Sequence, residues 1–516
     1  MKGMNYMKKL KKVMTLSLAA VTAAGMLAAC GGGEDAQTAM SDKPELNILM
    51  NNIKEDPNTY PVSQMLEEKT GYHINYELLP SDNVAEKLNL VLSSQADYDG
   101  IQIMGTYKDK YYDYANQGAL LELDELIDEY GPNIKEALSE GTWELSRVNG
   151  KIYGIVTASS KQYDENGEEV PSPMASMMLV RTDIMKQAGI EKMPETIDEF
   201  TEMLRAMKGL SGGNMVQAPL TTYSTLEMPG IDGAFGVERE WVDNGDGTLV
   251  NRIETDGYKE YLLYLKSLYD EGLLDSELPT NKTNNVQEKF TSGKSYVMPM
   301  AYYDAATIMD ALDNNCPGYE IEYMLPLTGA DGKSGYAYGS SPLERVFVIP
   351  KTAKHPEDVI KWINAKLDKD TFKEMILGEE GVDYEVKDGA YYPILPAFDN
   401  DRGLANDFLT GSRESEYLDY WLCRVRKDDR IYQKYLETQD EKALSFARRN
   451  LDADAPTMAA SKYTVTLNTI VNDYALGVIT GAETIEGYDE FLNKWRTSGG
   501  DELKAEMNEW YSSNNA

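Results

Sequence analysis

Three stretches of this 516-residue chain hold side chains whose type and spacing could do chemistry. Cys30, in GMLAACGGGED, is a thiol set between alanines and a glycine run, with nothing nearby to pair with or pack against. SGKS (Ser292 to Ser295) ends like a phosphate-cradling loop, but position 288 is Glu where that loop needs glycine, so the cradle is missing. DNGDGT (Asp243 to Thr248) offers acidic oxygens, with Glu254 at the twelfth position of a calcium loop. Gly245 and Gly247 stand where the third and fifth ligands belong. The segment therefore reads as a hairpin turn between EWV and TLV. Paired carboxylates carry no information about glycosidase chemistry in a chain with 86 acidic residues. No G-x-S-x-G, H-E-x-x-H or CxxC occurs, and the only histidines are His73 and His355, the latter at a helix start. The expectation is a binding protein that is not an enzyme, with no metal and no cofactor.

The residues ahead of Cys30 explain the thiol. Lys2, Lys8, Lys9, Lys11 and Lys12 form a basic start, and Val13 to Met26 is an uncharged run too short to span a bilayer as a permanent helix. Leu27-Ala28-Ala29-Cys30 resembles the bacterial lipobox, which implies cleavage before the cysteine and acylation of its thiol. Two or more acyl chains anchor stably, where one holds marginally. Residues 1–29 are then a lipoprotein signal peptide and 30–43 a glycine-rich, polar, flexible tether. The alternative is a cleaved, soluble secreted chain with a chance cysteine.

A formal net charge of −36 argues against nucleic acid as a partner, since phosphate binding needs a basic face. It argues equally against lying flat on an anionic membrane. After the signal, no segment reaches membrane-spanning length without charges. Length suits two lobes. Cys316 and Cys423 either pair or stay as two buried thiols; sequence leaves both open.

The elements that would position a site follow from periodicity. ELNILM, YHINYELLP and YDGIQIM read as strands separated by the helices VSQMLEEKTG and NVAEKLNLVLSS, the latter with Val84, Leu88, Val91 and Leu92 on one face. This order predicts a parallel sheet with helices on both faces, and ligands beyond the strand carboxyl ends. Asn51, Asn52, Thr106 and Tyr107 then border any cleft. A second run starts at the strand Met177–Val180. Thr196 and Glu199 have capping-box spacing ahead of Ile197, Phe200, Leu204 and Met207. Tyr258, Tyr261, Leu265 and Leu268 form the inward face of another helix, and Gly293 stops a helix before SYVMPM.

Together these segments resemble the family 1 extracellular solute-binding proteins of bacterial ABC importers. The resemblance runs in order through YGPNIKEAL, NGKIYGIV, LVRTDIMKQAGI with PETIDEFTEMLRAMK, FTSGKSYVMPM, GEEGVDYEVKDG and ITGAETIEGYDEFLNKWRTSGGDELKAEMNEWY. It is nearest to large Gram-positive lipoproteins that bind oligosaccharides. It implies an α/β, two-lobe periplasmic-binding-protein-like fold, each lobe a mainly parallel sheet flanked by helices, with the ligand cleft between. The implied boundaries are 44–160 for the first part of lobe 1, 174–325 for lobe 2, and 326–365 for the return to lobe 1. Residues 366–516 form a helical region completing lobe 2 and packing across lobes. Many relatives carry a calcium loop where this chain has GLSGGNMVQAPL (Gly209 to Leu220), which lacks any carboxylate, so that site is not carried over.

The resemblance further implies a monomer tethered by lipid to the extracellular face of the cytoplasmic membrane, delivering an oligosaccharide to ABC permease subunits. Sugars present hydroxyls and C–H faces, which suit tyrosine, and the chain has 35 Tyr against 9 Phe. The candidate ligand-binding residues are Asn51, Asn52, Tyr107, Tyr223, Trp241, Tyr302, Tyr303, Asp304, Trp421, Arg424 and Arg426. The two arginines lean toward a uronate-containing sugar, because guanidinium forks pair carboxylates. Trp362, Trp495 and Trp510 read as packing. The competing classes are a secreted polysaccharide hydrolase or lyase, and a sensor or adhesin on the same fold.

Overall fold

A computed structural model describes residues 43–94, 96–158, 170–210, 218–339, 343–452, 455 and 459–514. Cys30, the tether and residues 211–217 of the GLSGGNMVQAPL segment lie outside the described residues. Among the described residues no helix is long and apolar enough to cross a membrane.

The first core forms around a five-stranded sheet. Its strands in chain order are β1 (Leu46–Met50), β2 (Ile74–Leu78), β3 (Gly100–Met104), β4 (Gly154–Ala158) and a late arrival from beyond residue 340. Helices α1 (Pro61–Thr70) and α2 (Val84–Ser93) connect the first three strands, and α3 (Lys108–Asn116) follows β3. β1 lies parallel to β2 and to β3, with Ile48 opposite Tyr76 and Gly100, as the strand–helix alternation predicts. Side chains leave a strand alternately to the two faces. Leu46, Ile48 and Met50 accordingly pack on one side of the sheet, and Leu49, Ile101 and Ile103 on the other.

The second core is built on a three-stranded sheet. Its strands are β5 (Ser176–Arg181), β6 (Val297–Ala301) and β7 (Ile321–Met324), in the order β6-β5-β7. Here the structure departs from the expected mainly parallel sheet: β5 runs antiparallel to both neighbours, with Val180 opposite Val297 and Leu179 opposite Tyr323. The reason is the path of the chain. β6 and β7 share a direction because α6 (Ala305–Asn315) carries the chain between them. β5 lies between them and is reached from the first core, from the opposite end. Helix α4 (Ile197–Gly209) starts at the predicted capping box, Thr196 Oγ1 accepting from the Glu199 amide and the Glu199 carboxylate accepting from the Thr196 amide, both at 3.2 Å. Helix α5 (Asp256–Asp270) buries Tyr258, Tyr261, Leu265 and Leu268 as its spacing predicts.

The chain then returns. β8 (Leu343–Val348) inserts between β3 and β4, antiparallel to each, and completes the order β2-β1-β3-β8-β4. Helices α7 (Pro356–Lys366) and α8 (Lys369–Leu377) close the first core, with Trp362 buried against Phe347. Helix α9 (Glu414–Val425) passes from one core to the other: Tyr417 packs in the first, Val425 in the second, and Trp421 touches both. After α10 (Asp429–Thr438), the helices α11 (Ala459–Thr480), α12 (Tyr488–Trp495) and α13 (Asp501–Asn514) cover the second core, with Trp495 and Trp510 packing there. Both remaining described cysteines are free thiols, Cys423 buried and Cys316 half-buried.

Candidate functional site

The carboxyl end of the first sheet is a polar floor assembled around one loop. Gln102 sits in the middle of β3, 3% exposed, in an otherwise apolar run. Its amide nitrogen donates to the carbonyls of Asp407 and Leu409 at 3.1 and 2.9 Å. Its oxygen accepts from Asn51 Nδ2 at 2.8 Å. Arg345 Nη1 donates to the Asn406 carbonyl and Lys366 Nζ to that of Phe408, both at 2.6 Å. Four successive carbonyls, 406 to 409, are thus held by three buried side chains. A buried carbonyl left unpaired would be costly, so these bonds fix the loop. Burial lifts the Asp407 carboxyl above its ordinary value, while Arg345 and Arg424 pull the other way. Burial also depresses the Lys366 ammonium well below its usual value, and Arg345 adds to that.

Asn51 therefore belongs to the floor, with one amide already committed. Asn52 is exposed and bonds the Leu79 carbonyl at 3.1 Å, a local turn contact. Tyr107 is half-buried on the side of the first sheet that carries Leu49, Ile101 and Ile103. Gly105 lets that turn form: a Cβ there would lie 2.1 Å from the Leu343 carbonyl oxygen. Lys108, the next residue after Tyr107, is depressed by burial and lies within electrostatic reach of Asp452 and Glu240 from the second core. There α3 also lies against α11, so this is a seam between the two cores.

The carboxyl end of β6 is an aromatic wall. Tyr302, Tyr303 and Asp304 form a single tight turn between β6 and α6. Tyr302 is buried and meets Tyr303, Tyr435 and Trp421 edge-on, at centroid distances of 5.4, 5.4 and 6.4 Å. Trp421 meets Tyr435 edge-on at 6.0 Å, and Tyr435 stacks on Tyr432. Tyr303 stands out, 60% exposed. Tyr223 packs on the same cluster, and its phenol is pushed up to about 12 by burial, with Glu227 and Asp304 adding. Burial raises the Asp304 carboxyl too, and no cation offsets it.

Helix α9 joins floor and wall. Trp421 and Arg424 are three residues apart, hence on one helix face. Trp421 completes the wall, while Arg424 lies within electrostatic reach of Asp407 in the floor. Arg424 Nη2 donates to the carbonyls of Arg402 and Gly403. Arg426 is held between the rings of Tyr392 and Tyr432, at 5.3 and 5.1 Å from their centroids, and donates to the Tyr391 carbonyl at 3.0 Å. Its fork serves packing, contrary to the expectation that it faces a ligand carboxylate.

Trp241 is the clear correction. It is 2% exposed within the second core, beside Leu249 and Ile253. The predicted hairpin is present, Trp241–Asp243 against Leu249–Asn251. Helix α13 lies across it, Asn508 bonding both the amide and the carbonyl of Leu249 at 2.7 and 2.9 Å. That cover hides the indole from any cleft. Glu254 is held by Arg496 and Lys504 at 2.7 and 2.8 Å, so it is no calcium ligand. Among the described residues no group of three metal-ligating side chains converges.

The structure thus brings together Tyr223, Tyr302, Tyr303, Asp304 and Trp421, places Asn51 and Arg424 on the adjoining floor, puts Arg426 against Tyr432 behind the wall, and separates Trp241 and Asn52 from both. Sequence reasoning missed Tyr435, Glu227, Gln102, Arg345 and Asp407. A lone Gln in GIQIM and tyrosines three apart in DRIYQKYLET were the available signals.

Residues 49–370 match the family described as bacterial extracellular solute-binding protein. The chain belongs to that family. This solute-binding protein is 26% identical over 541 residues to lipoprotein LipO of Bacillus subtilis (strain 168), covering 98% of each chain. It is 27% identical over 383 residues to the fructooligosaccharide ABC transporter substrate-binding protein FusA of Streptococcus pneumoniae serotype 4, covering 69% of this chain and 67% of that one. Its fold matches that of S. pneumoniae FusA in complex with kestose at a TM-score of 0.72 and 20% identity, over 92% of this chain and 99% of the other. The two-lobe α/β architecture of such solute-binding proteins is therefore the architecture of this one.

Proposed function

We propose that this chain is the substrate-binding lipoprotein of an ABC importer. It captures an oligosaccharide between its lobes and delivers it to a membrane permease. The observation that carries this reading is the turn at the end of β6. There an exposed tyrosine ring and an unpaired carboxylate sit side by side on a rigid aromatic base. A ring face stacks on sugar C–H groups and a carboxylate accepts from hydroxyls, which is the pairing a carbohydrate needs. The names of relatives point the same way, FusA to fructooligosaccharide and another, 21% identical over 519 residues, to polygalacturonan and rhamnogalacturonan.

Closure follows from ligand touching both sides of α9: such a ligand favours the closed state by its differential affinity. Micromolar capture requires about 8 kcal/mol net, with the cost of closing included. The floor supplies fixed polar groups and the wall supplies contact area. The protein acts as a monomer, returns its ligand chemically unchanged, and is anchored at the outer face of the cytoplasmic membrane through acylated Cys30.

Binding is tested by thermal shift and calorimetry of the mature chain against an oligosaccharide panel. A saturable shift with one sugar per monomer, recovered intact, is the expected result. Shortened or unsaturated product would place the protein among hydrolases or lyases. For the anchor, Cys30→Ser should abolish membrane fractionation and palmitate labelling of the precursor, and persistence of the label would remove the lipoprotein reading.

A further inference from the structure

The charges around the site are distributed unevenly, and the distribution bears on which sugar fits. Among the described residues, the arginines of the floor and behind the wall are each engaged through part of their guanidinium. Arg345 is buried, bonds the Asn406 carbonyl, and lies 3.7 Å from Glu344. Arg424 bonds two backbone carbonyls and faces Asp407. Arg426 is enclosed between two tyrosines.

The wall has the opposite character. Asp304 and Glu227 both lie within electrostatic reach of the phenols of Tyr223 and Tyr303. Among the described residues Asp304 makes no side-chain hydrogen bond or ion pair, and burial alone accounts for the direction of its titration shift. No lysine or arginine acts on either phenol. Among the described residues, a ligand resting on the exposed Tyr303 therefore meets two carboxylates and no cation that acts on either phenol.

We infer that the site takes an oligosaccharide free of anionic groups and excludes sugars bearing carboxylate, sulfate or phosphate. This rests on the oligosaccharide reading above and reverses the uronate preference that Arg424 and Arg426 suggest in the sequence. Asp304, half-buried and unpaired, is then a specificity residue: it accepts from sugar hydroxyls, and it repels an anion in a partly desolvated setting where like charges are weakly screened. Glu227 adds to the repulsion from the exposed rim.

The test uses the mature chain and two matched series at equal length. One contains neutral gluco-, galacto-, manno- and fructo-oligosaccharides. The other contains oligogalacturonates and alginate oligomers, with glucosamine oligomers as a cationic arm. The expected result is binding in the neutral series, with any uronate at least about tenfold weaker, the gap narrowing as salt rises. Uronate binding as tight as the best neutral sugar would overturn the inference while leaving oligosaccharide capture intact; glucosamine oligomers outcompeting the neutral sugars would support it, since the same carboxylates attract a cation. Absence of binding in all three series would remove both readings. Asp304→Asn combined with Glu227→Gln separates mechanism from folding. It should lower neutral-sugar affinity and shift the uronate-to-neutral ratio toward uronate by about tenfold, the screened repulsion of two charges. A ratio unchanged in a variant that melts normally would show that these carboxylates do not set the selection.

Discussion

The end of β3 and the end of β6 lie on either side of α9 and differ in how fully their polar groups are bonded. At β3, Gln102, Arg345 and Lys366 donate to four successive carbonyls of one loop, although Arg345 Nε is left over. At β6, among the described residues, Tyr303 is 60% exposed and the Asp304 carboxylate has no partner. Buried polar groups in native proteins are satisfied almost without exception. A loop whose four successive carbonyls are all bonded is scaffold that shapes a site; an exposed ring beside a carboxylate without a partner is where a ligand completes the bonding.

The largest expected effect lies outside both regions and calibrates them. Trp241→Ala should lower stability by about 3–5 kcal/mol, as removal of a buried aromatic does, with sugar affinity normal once folded. Chemical denaturation paired with calorimetry checks it, and a loss of affinity at unchanged stability would return Trp241 to the site. Gln102→Leu should cost about 2–3 kcal/mol of stability, because the Asp407 and Leu409 carbonyls lose their donor in a buried place. Affinity should fall too, through a loosened loop. If affinity falls while denaturation is unchanged, Gln102 touches ligand and the floor is not mere scaffold.

Tyr303→Ala should weaken binding by about 1–3 kcal/mol, the value of a stacked ring, and leave the melting temperature nearly unmoved. Normal binding by this variant would break the comparison outright.

The smallest effect is one of sign. Burial raises the Asp304 carboxyl above its ordinary value, beside Tyr223, Tyr303, Tyr323 and Glu227. The folded chain therefore holds that proton more readily than the unfolded chain. Asp304 favours the fold below its unfolded value and loses that contribution as pH rises through the folded one. Asp304→Asn should thus melt slightly higher than the parent at neutral pH and no higher in acid, while binding sugar less well. Melting curves at two pH values decide it; a lower melting point at neutral pH would mean the carboxylate has a partner in solution.

Much of this was legible from residues close together in the chain. The capping box at Thr196 and Glu199 needs only three residues of spacing, and α5 only its own periodicity. Tyr302 to Asp304 were placed by position at a strand end. What was hidden depends on segments far away. The cover over Trp241 comes from Asn508, bonded to a residue 259 positions earlier. The floor joins Gln102 to carbonyls 305 and 307 residues on. The antiparallel second sheet follows from where β5 is entered, which local pattern does not record. Arg426 looked like a ligand fork because its sequence neighbours are basic, but its partners Tyr392 and Tyr391 arrive from a hairpin some thirty residues earlier.

The position of β8 has a consequence for the order of folding. It is an internal strand of the first sheet, yet it is made after the whole of the β5–β7 region. Until residue 343 emerges, the growing chain holds β2-β1-β3 with β3 as an open edge, and β4 with no partner in that sheet. Open edges template pairing with other chains, and contacts so distant in sequence form slowly. A nascent chain of this protein is therefore at its most adhesive when about two-thirds synthesised, and β8 removes both hazards in one step by pairing with the two edges at once.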